Sequence, residues 1–541
     1  MATAPKPALD FDAPLHEHLR ERARRTPDKA AYLWYGRPIT FSEVDRLSDG
    51  FAGCLAKLGV AKGEPIALFL NNCPQYVIAH FAIQKIGAIV CPCGPLYKEH
   101  ELQYQLDDLK ARVILAAENL LPIVDKVRAR TALEHVFSTR HGDMLPAEPA
   151  IDLPADLAAE RASLAARPSR TLDFLDACEN GGKPPEVAID IDQDVALMTY
   201  TSGTTGLPKG AMLTYRNALY KTAASVESKQ IAEDDVLLAV APLYHIAGML
   251  MGVNIPAYSG AATVLLHRFD PLAVLQAIER HRVTWWYSIA PMNVAVMAQP
   301  DAKRFDLTSL RENTVTSFGI TFTEALAQKW KDFAPNCTSM EAAYGLSETH
   351  TMDSSMPSDA IRWGTHGLPV PGNQIRILDP DSGAELPAGE VGEIVLKSAG
   401  VFKGYWNKPE ATASTLKDGW VHTGDMGKLD GDGYLTFIGR FKEMIKVSGY
   451  SVFPEEVEAI LIKHPAVAQA AVIGIPDPDK GEVVKAFIVL KADQQADAAQ
   501  IIAWSRENMA SYKAPREVSF IDALPATGAG KVLRRLLKDQ A

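Results

Sequence analysis

The chain has 541 residues, of which 47% are hydrophobic and 22% are charged, the balance of an ordinary globular protein. A single hydrophobic core stops growing at about 250–300 residues, so we expect at least two domains. The formal net charge of -11 disfavours nonspecific binding to nucleic acid.

The chain carries no clear targeting or membrane signal. Its first residues lack the basic-then-apolar order of a signal peptide. The longest stretch without Asp, Glu, Lys or Arg is Val236–His267, which is long enough to cross a bilayer. Pro242, His245 and several glycines interrupt it, so we expect a buried strand–helix–strand unit instead.

The six cysteines are scattered, and the Cys91-x-Cys93 pair is too tight for the common zinc spacings. We therefore expect free, buried thiols in a reducing compartment and predict a cytoplasmic protein.

Strand and helix patterns alternate through the first two-thirds of the chain. Pro65–Leu70, Ala88–Val90 and Arg112–Ala116 read as strands, and Pro74–Lys85 reads as a helix. This alternation predicts an α/β architecture with mainly parallel sheets. Pro149–Pro185 is rich in Ala, Pro and Asp and is predicted to be a surface excursion.

The stretch Tyr200–Gly210, YTSGTTGLPKG, has the composition of a phosphate-binding loop. Its hydroxyl groups, flexible glycines and single cation suit a polyphosphate. The spacing is not that of the common nucleotide loop, and composition alone leaves a flexible surface turn open. The candidate ligand-binding residues are Thr201, Ser202, Gly203, Thr204, Thr205, Gly206 and Lys209.

The pattern changes after Gly424. Asp430–Gly433 is a turn signal between strands, and Phe453–Lys463 begins a helix with Pro454 in its first turn. Val472–Ile475 and Val483–Leu490 read as further strands. We place a boundary near Gly439–Lys442, which predicts an N-terminal domain over residues 1–439 and a small α+β domain over residues 440–541.

Six segments, taken in chain order, resemble the signature motifs of the adenylate-forming superfamily, which includes acyl-CoA synthetases, adenylation domains of peptide synthetases and firefly-type luciferases. They are Tyr200–Gly210, Pro242–Gly248 (PLYHIAG), Tyr344–Glu348 (YGLSE), Trp420–Asp425 (WVHTGD), Gly439–Glu458 and Gly528–Arg534 (GAGKVLR).

Within that superfamily, the chain is most similar to the acyl-CoA synthetase, or fatty-acid–CoA ligase, branch. The resemblance implies a large α/β N-terminal domain with a β-barrel-like subdomain and a small mobile C-terminal domain. It also implies that the protein uses ATP, Mg²⁺ and CoA.

The resemblance assigns a nucleotide site to residues far apart in the chain. Tyr344 would pack on adenine, Ser347 would meet the phosphate and Glu348 would hold Mg²⁺. Asp425 would accept hydrogen bonds from the ribose hydroxyls, and Arg440 would contact ribose or phosphate. Gly319 and Gly345 complete the predicted nucleotide-binding set. Taken alone, these residues would also fit ordinary turns and surface ion pairs.

The remaining implied roles concern catalysis. His245 would lie beside the acyl cavity, although a satisfied core histidine is the alternative. Lys531 would bridge the substrate carboxylate and the α-phosphate. Lys442 would be a hinge about which the C-terminal domain rotates to bring Ser448, Gly449 and Tyr450 to the CoA site. Each lysine, taken alone, would be solvated.

The sequence departs from the family at Ser317–Phe322 (SFGITF), where SGGAPL is frequent, and at Ala343, where glycine is common. Both departures affect the region of the acyl pocket. Apolar residues at Ile246 and Met249–Met251 and the segment Trp285–Met292 favour an acid with an apolar tail.

We therefore predict an enzyme that converts a fatty acid of medium or longer chain to its acyl-CoA through an acyl-adenylate, releasing AMP and pyrophosphate. The alternatives are an aryl or other small carboxylate–CoA ligase, or an adenylation enzyme that loads a carrier protein. No carrier domain follows Lys531 in this sequence, which disfavours the last. A luciferase-like oxidase and a non-catalytic sensor are further alternatives on the same fold. The predicted partners are small molecules, namely the carboxylic acid, ATP and CoA; homodimers are common among enzymes of this family.

Overall fold

The computed structural model describes residues 12–163, 170–201, 207–317, 320–447, 450–477, 480–527 and 532–540. The strands of these ranges are β1 (Ala30–Trp34), β2 (Arg37–Thr40), β3 (Pro65–Phe69), β4 (Ile89–Pro92), β5 (Val113–Ala117), β6 (His135–Thr139), β7 (Leu172–Asp173), β8 (Val195–Thr201), β9 (Lys209–Thr214), β10 (Val236–Ala239), β11 (Ala262–Leu265), β12 (Trp285–Ile289), β13 (Glu312–Thr316), β14 (Thr338–Glu341), β15 (Ser354–Ser355), β16 (Leu368–Pro369), β17 (Gln374–Leu378), β18 (Gly392–Lys397), β19 (Gly404–Tyr405), β20 (Leu416–Lys417), β21 (Trp420–Leu429), β22 (Leu435–Arg440), β23 (Ile445–Val447), β24 (Tyr450–Val452), β25 (Val467–Asp477), β26 (Gly481–Leu490) and β27 (Glu517–Phe520).

The α-helices of the same ranges are α1 (Leu15–Arg25), α2 (Phe41–Lys57), α3 (Pro74–Lys85), α4 (Glu99–Leu109), α5 (Leu121–Arg128), α6 (Ala155–Ala162), α7 (Phe174–Asn180), α8 (Tyr215–Lys229), α9 (Ile246–Met249), α10 (Ile255–Ser259), α11 (Pro271–His281), α12 (Ala290–Met297), α13 (Glu324–Phe333), α14 (Pro409–Thr415), α15 (Pro454–Leu461), α16 (Ala498–Asn508) and α17 (Arg534–Lys538). Short 3₁₀ turns include Ser347–Thr349 and Phe441–Glu443, and a π-helical turn, Leu250–Asn254, joins α9 to α10.

An eight-stranded sheet forms one layer of the N-terminal part, in the order β19-β9-β8-β4-β3-β5-β6-β7. The strands from β8 to β7 pair in parallel, whereas β9 pairs with β8 in antiparallel orientation. Central strands β3 and β5 are buried along their whole length, as expected for parallel strands inside an α/β domain. The predicted phosphate loop joins β8 to β9, so it lies where the parallel part of the sheet meets its antiparallel edge.

A seven-stranded sheet follows the order β14-β13-β12-β10-β11-β1-β2 and is parallel except for the β1–β2 pair. The carboxyl end of β13 leads to Ser317, and that of β14 leads to Tyr344. Ligands of open α/β sheets bind beyond the carboxyl ends of the strands, so this edge is where a site is expected.

Two further sheets are built mainly from antiparallel strands. The first has the order β17-β18-β21-β20, with β22 also paired to β21, and it brings Asp425 directly opposite Arg440. The second has the order β24-β23-β26-β25, with β27 parallel to β26. These sheets confirm the predicted α/β fold with a small α+β C-terminal part. The position of the domain boundary stays a prediction; strand pairing changes from one sheet to the other between Arg440 and Ile445.

Most predicted elements lie within a few residues of the observed ones. The predicted helix Pro74–Lys85 is α3, which is buried on every side and therefore shows no amphipathic pattern. The predicted turn Asp430–Gly433 lies between β21 and β22. The charge-free stretch Val236–His267 is the unit from β10 through α9 and α10 to β11, as predicted. No helix in the part of the chain that the structure describes is long and apolar enough to cross a membrane.

The prediction of a surface excursion over Pro149–Pro185 is wrong for helix α7. Helix α7 packs against α2, and Phe174 and Cys178 are buried. A Cβ atom on Gly50 of α2 would lie 1.7 Å from the carbonyl oxygen of Cys178, so only glycine allows this close contact. The Ala- and Asp-rich composition did not reveal this contact, because it depends on a glycine about 130 residues earlier.

All six cysteines are free thiols, and five of them are buried. Burial raises the pKa of Cys73 to about 12, which keeps this thiol protonated and unreactive at neutral pH.

Candidate active site

The predicted phosphate loop connects β8 to β9, and these two strands pair with each other. Thr201 pairs with Lys209, and Tyr200 pairs with Gly210. Helix α4 supports both arms of the hairpin, since Tyr200 donates to Asp108 Oδ2 at 2.6 Å and Tyr104 donates to the carbonyl of Pro208 at 2.8 Å. Ser202, Gly203, Thr204, Thr205 and Gly206 lie outside the described residues.

Three residues predicted to bind the nucleotide lie together. The hydroxyl of Tyr344 donates to Asp425 Oδ2 at 2.7 Å, and Arg440 Nε lies 3.2 Å from Asp425 Oδ1. Asp425 is buried, with 3% of its surface exposed. Phe437 lies against the Tyr344 ring, with centroids 5.8 Å apart and planes inclined by 27°. An aromatic face and a carboxylate are thus held side by side, as recognition of a nucleoside requires.

The electrostatics of this group keep Tyr344 and Arg440 in useful protonation states. Burial raises the pKa of Tyr344 well above its ordinary value, and the nearby carboxylate of Asp425 raises it further. Burial acts to lower the pKa of Arg440, but Asp425, Glu443 and Glu348 outweigh it, and the pKa is raised overall. Tyr344 therefore remains a hydrogen-bond donor, and Arg440 remains a cation.

Tyr405, which the sequence reasoning missed, joins two other predicted site residues. Its hydroxyl donates to Glu348 Oε1 at 2.6 Å, and Lys209 Nζ lies 4.3 Å from the centroid of its ring. Strand β19 places it there by pairing with β9, where Tyr405 lies opposite Ala211. Burial and the charge of Glu348 raise the pKa of Tyr405, so the phenol donates rather than ionises. Nothing in the local sequence GYWNKPE reveals these contacts.

The residues present fit a bound Mg²⁺ ion. Glu348 is partly exposed, and one of its oxygens already accepts from Tyr405. No cluster of three or more His, Cys, Asp or Glu side chains in the described ranges could hold a metal by itself. A single carboxylate that shares the ion with phosphate oxygens is the arrangement that Mg²⁺ prefers. Glu348 would therefore hold the ion jointly with a bound nucleotide.

Replacing Tyr405 with phenylalanine tests this contact. The variant loses the hydrogen bond to Glu348 but keeps the ring beside Lys209. We expect the Mg²⁺ concentration for half-maximal pyrophosphate release to rise by about 3- to 10-fold, which corresponds to the net contribution of one ordinary hydrogen bond. Tyr434→Phe is the matched control, because it removes a hydroxyl that donates to the carbonyl of Ala360 and not to a predicted site residue among those described. Equal behaviour of the two variants would contradict the role of Tyr405.

Gly345 is required by the turn that follows the YGLSE segment. A Cβ atom on Gly345 would lie 2.3 Å from the backbone nitrogen of Met352. The segment His350–Met352 folds back onto it with three consecutive positive φ angles of 58°, 59° and 50°. Ser347 begins the short 3₁₀ turn Ser347–Thr349 that leads into this fold-back.

The residues with predicted catalytic roles lie in three different settings. His245 caps α9, since its Nδ1 accepts from the backbone N–H of Ala247 at 3.4 Å. Lys442 is exposed in the 3₁₀ turn after β22. Tyr450 is 58% exposed, and its ring stacks on Tyr512 with centroids 4.4 Å apart. Lys531, Gly319, Ser448 and Gly449 lie outside the described residues.

The segment that departs from the family pattern leads to a buried carboxyl group. The backbone N–H of Ser317 donates to Glu341 Oε1 at 3.1 Å, and the Ser317 hydroxyl donates to the second oxygen. Ser317 Oγ in turn accepts from the backbone N–H of Phe322 at 2.8 Å. Phe322 is buried beside Ala290, Val315 and Ala327, so its bulk contributes to the core of the protein.

The buried carboxyl group of Glu341 should make the stability of the protein depend on pH. Burial raises its pKa from 4.5 to about 7, so the folded protein keeps a proton that the unfolded chain loses between these values. The free energy of unfolding should therefore fall as pH rises through this window and level off above it. Relative to wild type, the free energy of unfolding of Glu341→Gln should increase by up to roughly 3 kcal/mol as the pH is raised from 4.5 to 8. Urea denaturation of both proteins at the two pH values measures this change; a pH-independent difference would contradict it.

A cavity of about 490 Å³ lies apart from these residues. Its lining includes Arg140, His141, Glu160 and His267 and contains none of the predicted site residues. Several titratable groups of the lining contact one another, for example Arg140 with Glu118 at 2.7 Å and His141 with Glu160 at 3.5 Å.

Comparison with known proteins decides the family. A sequence model described as AMP-binding enzyme matches residues 19–406, and one described as AMP-binding enzyme C-terminal domain matches residues 456–531. The chain belongs to the AMP-binding enzyme family.

Several relatives align with this chain over nearly its whole length. The long-chain-fatty-acid–CoA ligase of Bacillus subtilis is 34% identical over 538 residues, covering 97% of this chain and 94% of the relative. A feruloyl-CoA synthase of Amycolatopsis is 36% identical over 518 residues, covering 95% and 96%. The crystal structure of an anthranilate CoA ligase in complex with anthranoyl-AMP superposes with a TM-score of 0.84 at 31% identity, covering 98% of this chain and 97% of that one. The chain is thus an AMP-forming acyl-CoA ligase that acts on a carboxylic acid.

Proposed function

We propose that this ligase activates fatty acids of medium or longer chain. The observation that carries the proposal is an apolar cluster beside the nucleotide group. Its buried members are Ala224, Ile231, Leu237, Ala247, Leu250, Ile255, Ala261, Trp285, Tyr287, Ala342, Met352 and Val370. Ala342 is two residues before Tyr344, and Met352 is four residues after Glu348, so the cluster adjoins the residues assigned to ATP. Its members are apolar side chains, so an acid bound beside them would meet an apolar surface.

In the first half-reaction, a carboxylate oxygen of the acid attacks the α-phosphorus of ATP, and the bond from that phosphorus to the β-phosphate bridging oxygen breaks. Pyrophosphate leaves with the electron pair. Tyr344 and Asp425 hold the adenosine, and Lys209 with the loop of Thr201 holds the leaving phosphates. When bound, Mg²⁺ supplies charge neutralisation on the phosphates, beside Glu348.

Lys531 brings one cation to the point where the two anionic substrates meet, and this stabilises the charged transition state. In the second half-reaction, the thiol sulfur of CoA attacks the acyl carbonyl carbon, and the thiol proton passes to water. The bond from that carbon to the phosphate oxygen breaks, and AMP leaves with the electron pair. Rotation about Lys442 withdraws Lys531 and presents Ser448, Gly449 and Tyr450 to CoA.

An aryl acid is the second candidate. Trp285 and Tyr287 give the apolar cluster an aromatic character, and Thr316 donates to the hydroxyl of Tyr287 at 3.2 Å. A relative named feruloyl-CoA synthase supports the same alternative. A planar ring would be favoured by these neighbours, whereas a flexible chain would be favoured by Leu250 and Met352.

A panel of acids separates the candidates. The protein is mixed with ATP, Mg²⁺, CoA and one acid at a time, from acetate to palmitate and from benzoate to ferulate. Pyrophosphate and thioester are measured separately. Glu348→Gln is the control for contaminating activity. The greatest kcat/KM with medium or longer fatty acids supports the proposal, and a preference for aryl acids overturns it. Pyrophosphate without any thioester would indicate a carrier-loading enzyme.

A further inference from the structure

The turn after Glu348 has an unusual backbone. His350, Thr351 and Met352 all have φ between 50° and 59°, the left-handed region that residues other than glycine rarely adopt. Three such residues in succession are disfavoured by the local chain, so contacts from the surrounding structure must impose this conformation.

A buried ion pair lies directly behind this turn. Lys221 Nζ, from α8, lies 2.5 Å from Asp353 Oδ1 and 3.3 Å from the carbonyl oxygen of Met352. Both side chains are 0% exposed. Removing two charges from water is expensive, and a well-packed apolar pair would often be as stable. The pair is therefore better explained by the conformation that it specifies than by the stability that it adds.

Asp353 contacts both ends of the strained turn. Its Oδ2 accepts from the hydroxyl of Thr349, the residue after Glu348. Asn373 donates to its backbone carbonyl at 2.6 Å and to Oδ1 at 3.3 Å. Helix α8 is itself held in place, because Thr214 and Asn217 form a reciprocal capping box at its start.

Short backbone contacts connect the turn to the nucleotide group. The backbone N–H of Asp353 donates to the carbonyl of Tyr344 at 2.7 Å, and that of Thr351 donates to Leu346 at 2.7 Å. A shift of the turn would therefore move the Tyr344 ring and the Glu348 carboxylate together.

We propose that Lys221 and Asp353 are positioning residues that hold the left-handed turn His350–Met352 and thereby align Tyr344 and Glu348 for Mg²⁺–ATP. The inference rests on the proposed assignment of the nucleotide and the ion to Tyr344 and Glu348. Neither Lys221 nor Asp353 touches the reacting atoms.

The test is calorimetric titration of the full-length protein with ATP at fixed Mg²⁺, without acid or CoA. Lys221→Met combined with Asp353→Asn removes both charges with little change of shape. We expect the dissociation constant for Mg²⁺–ATP to rise by about 10- to 100-fold, as for other residues that orient a metal ligand.

Lys85→Met combined with Asp45→Asn is the matched control. Lys85 is likewise buried, and it bonds Asp45 at 2.6 Å between α2 and α3, helices that contribute none of the site residues. Its effect on the dissociation constant should stay within about 2-fold.

A rescue distinguishes positioning from general destabilisation. Glycine adopts the left-handed conformation freely, so adding Thr351→Gly to the double variant should restore affinity to within about 5-fold of wild type. A double variant that misfolds is replaced by Thr349→Val. This change deletes the hydrogen bond of the Thr349 hydroxyl to Asp353, together with its weaker contacts to the backbone of Leu346 at 3.2 and 3.4 Å, and should weaken binding by about 3- to 10-fold.

The outcomes separate the two proposals. The positioning role is overturned if the charge-removing variant and Thr349→Val both bind Mg²⁺–ATP with wild-type affinity. It is also overturned if the Lys85 control weakens binding equally, or if Thr351→Gly does not restore affinity. Absence of Mg²⁺–ATP binding by the wild-type protein overturns the nucleotide assignment itself.

Discussion

Lys531→Ala is expected to lower the rate of acyl-adenylate formation by about 10²- to 10³-fold, the usual effect of removing one preorganised group that stabilises transition-state charge. The two reacting groups are both anionic, so the loss of the cation should affect the chemical step more than substrate binding. Pyrophosphate release in single-turnover experiments measures this step. Thioester formation from supplied acyl-AMP and CoA should remain close to the wild-type rate.

Lys538→Ala is the matched control for this prediction. Lys538 is an exposed lysine at the end of α17, seven residues further along the chain, and its loss should leave both half-reactions unchanged. Lys442→Pro should have the opposite pattern to Lys531→Ala, since restricting the hinge backbone should impair thioester formation more than adenylation. Equal loss of both half-reactions in Lys531→Ala would contradict a two-conformation mechanism.

Asp425→Asn is expected to raise the KM for ATP by about 10²-fold. The carboxylate can accept hydrogen bonds at both oxygens, whereas the amide accepts at one and forms weaker bonds than a charged group. The amide also leaves Arg440 without its ion-pair partner at 3.2 Å. The KM for the acid substrate should change little, because Asp425 lies on the side of Tyr344 assigned to ribose.

Asp430→Asn provides the comparison. Asp430 lies in the turn between β21 and β22 and forms an ion pair with Arg362 at 2.5 Å. It therefore tests the loss of a neighbouring carboxylate without touching the nucleotide group, and the KM for ATP should not change. If a folded Asp425→Asn protein kept the wild-type KM for ATP, the ribose contact would have to be assigned to another residue.

The local sequence was sufficient to predict features that depend on neighbouring residues. The alternation of apolar runs and helical patterns predicted the parallel sheets, and Pro74 and Pro454 marked the starts of α3 and α15. Short motifs in the correct order identified the family through their resemblance to its signature segments, each of which lies within a few residues.

The sequence could not predict contacts between distant segments. Tyr405 meets Glu348 across 57 residues, and Lys221 meets Asp353 across 132 residues. No pattern within either segment requires its partner. The burial of α7 was missed for the same reason.

The sequence by itself determined the α/β class, which follows from local periodicity, and the family, which follows from the resemblance of six motifs to its signature segments. That resemblance also assigned the residues of the proposed chemistry. Only the tertiary structure decided which side chains hold those residues in place. Tyr405 beside Glu348, and the ion pair behind His350–Met352, exist because packing brings separate elements within hydrogen-bonding distance. Packing of the whole core, rather than local preference, also stabilises a turn that its own residues disfavour.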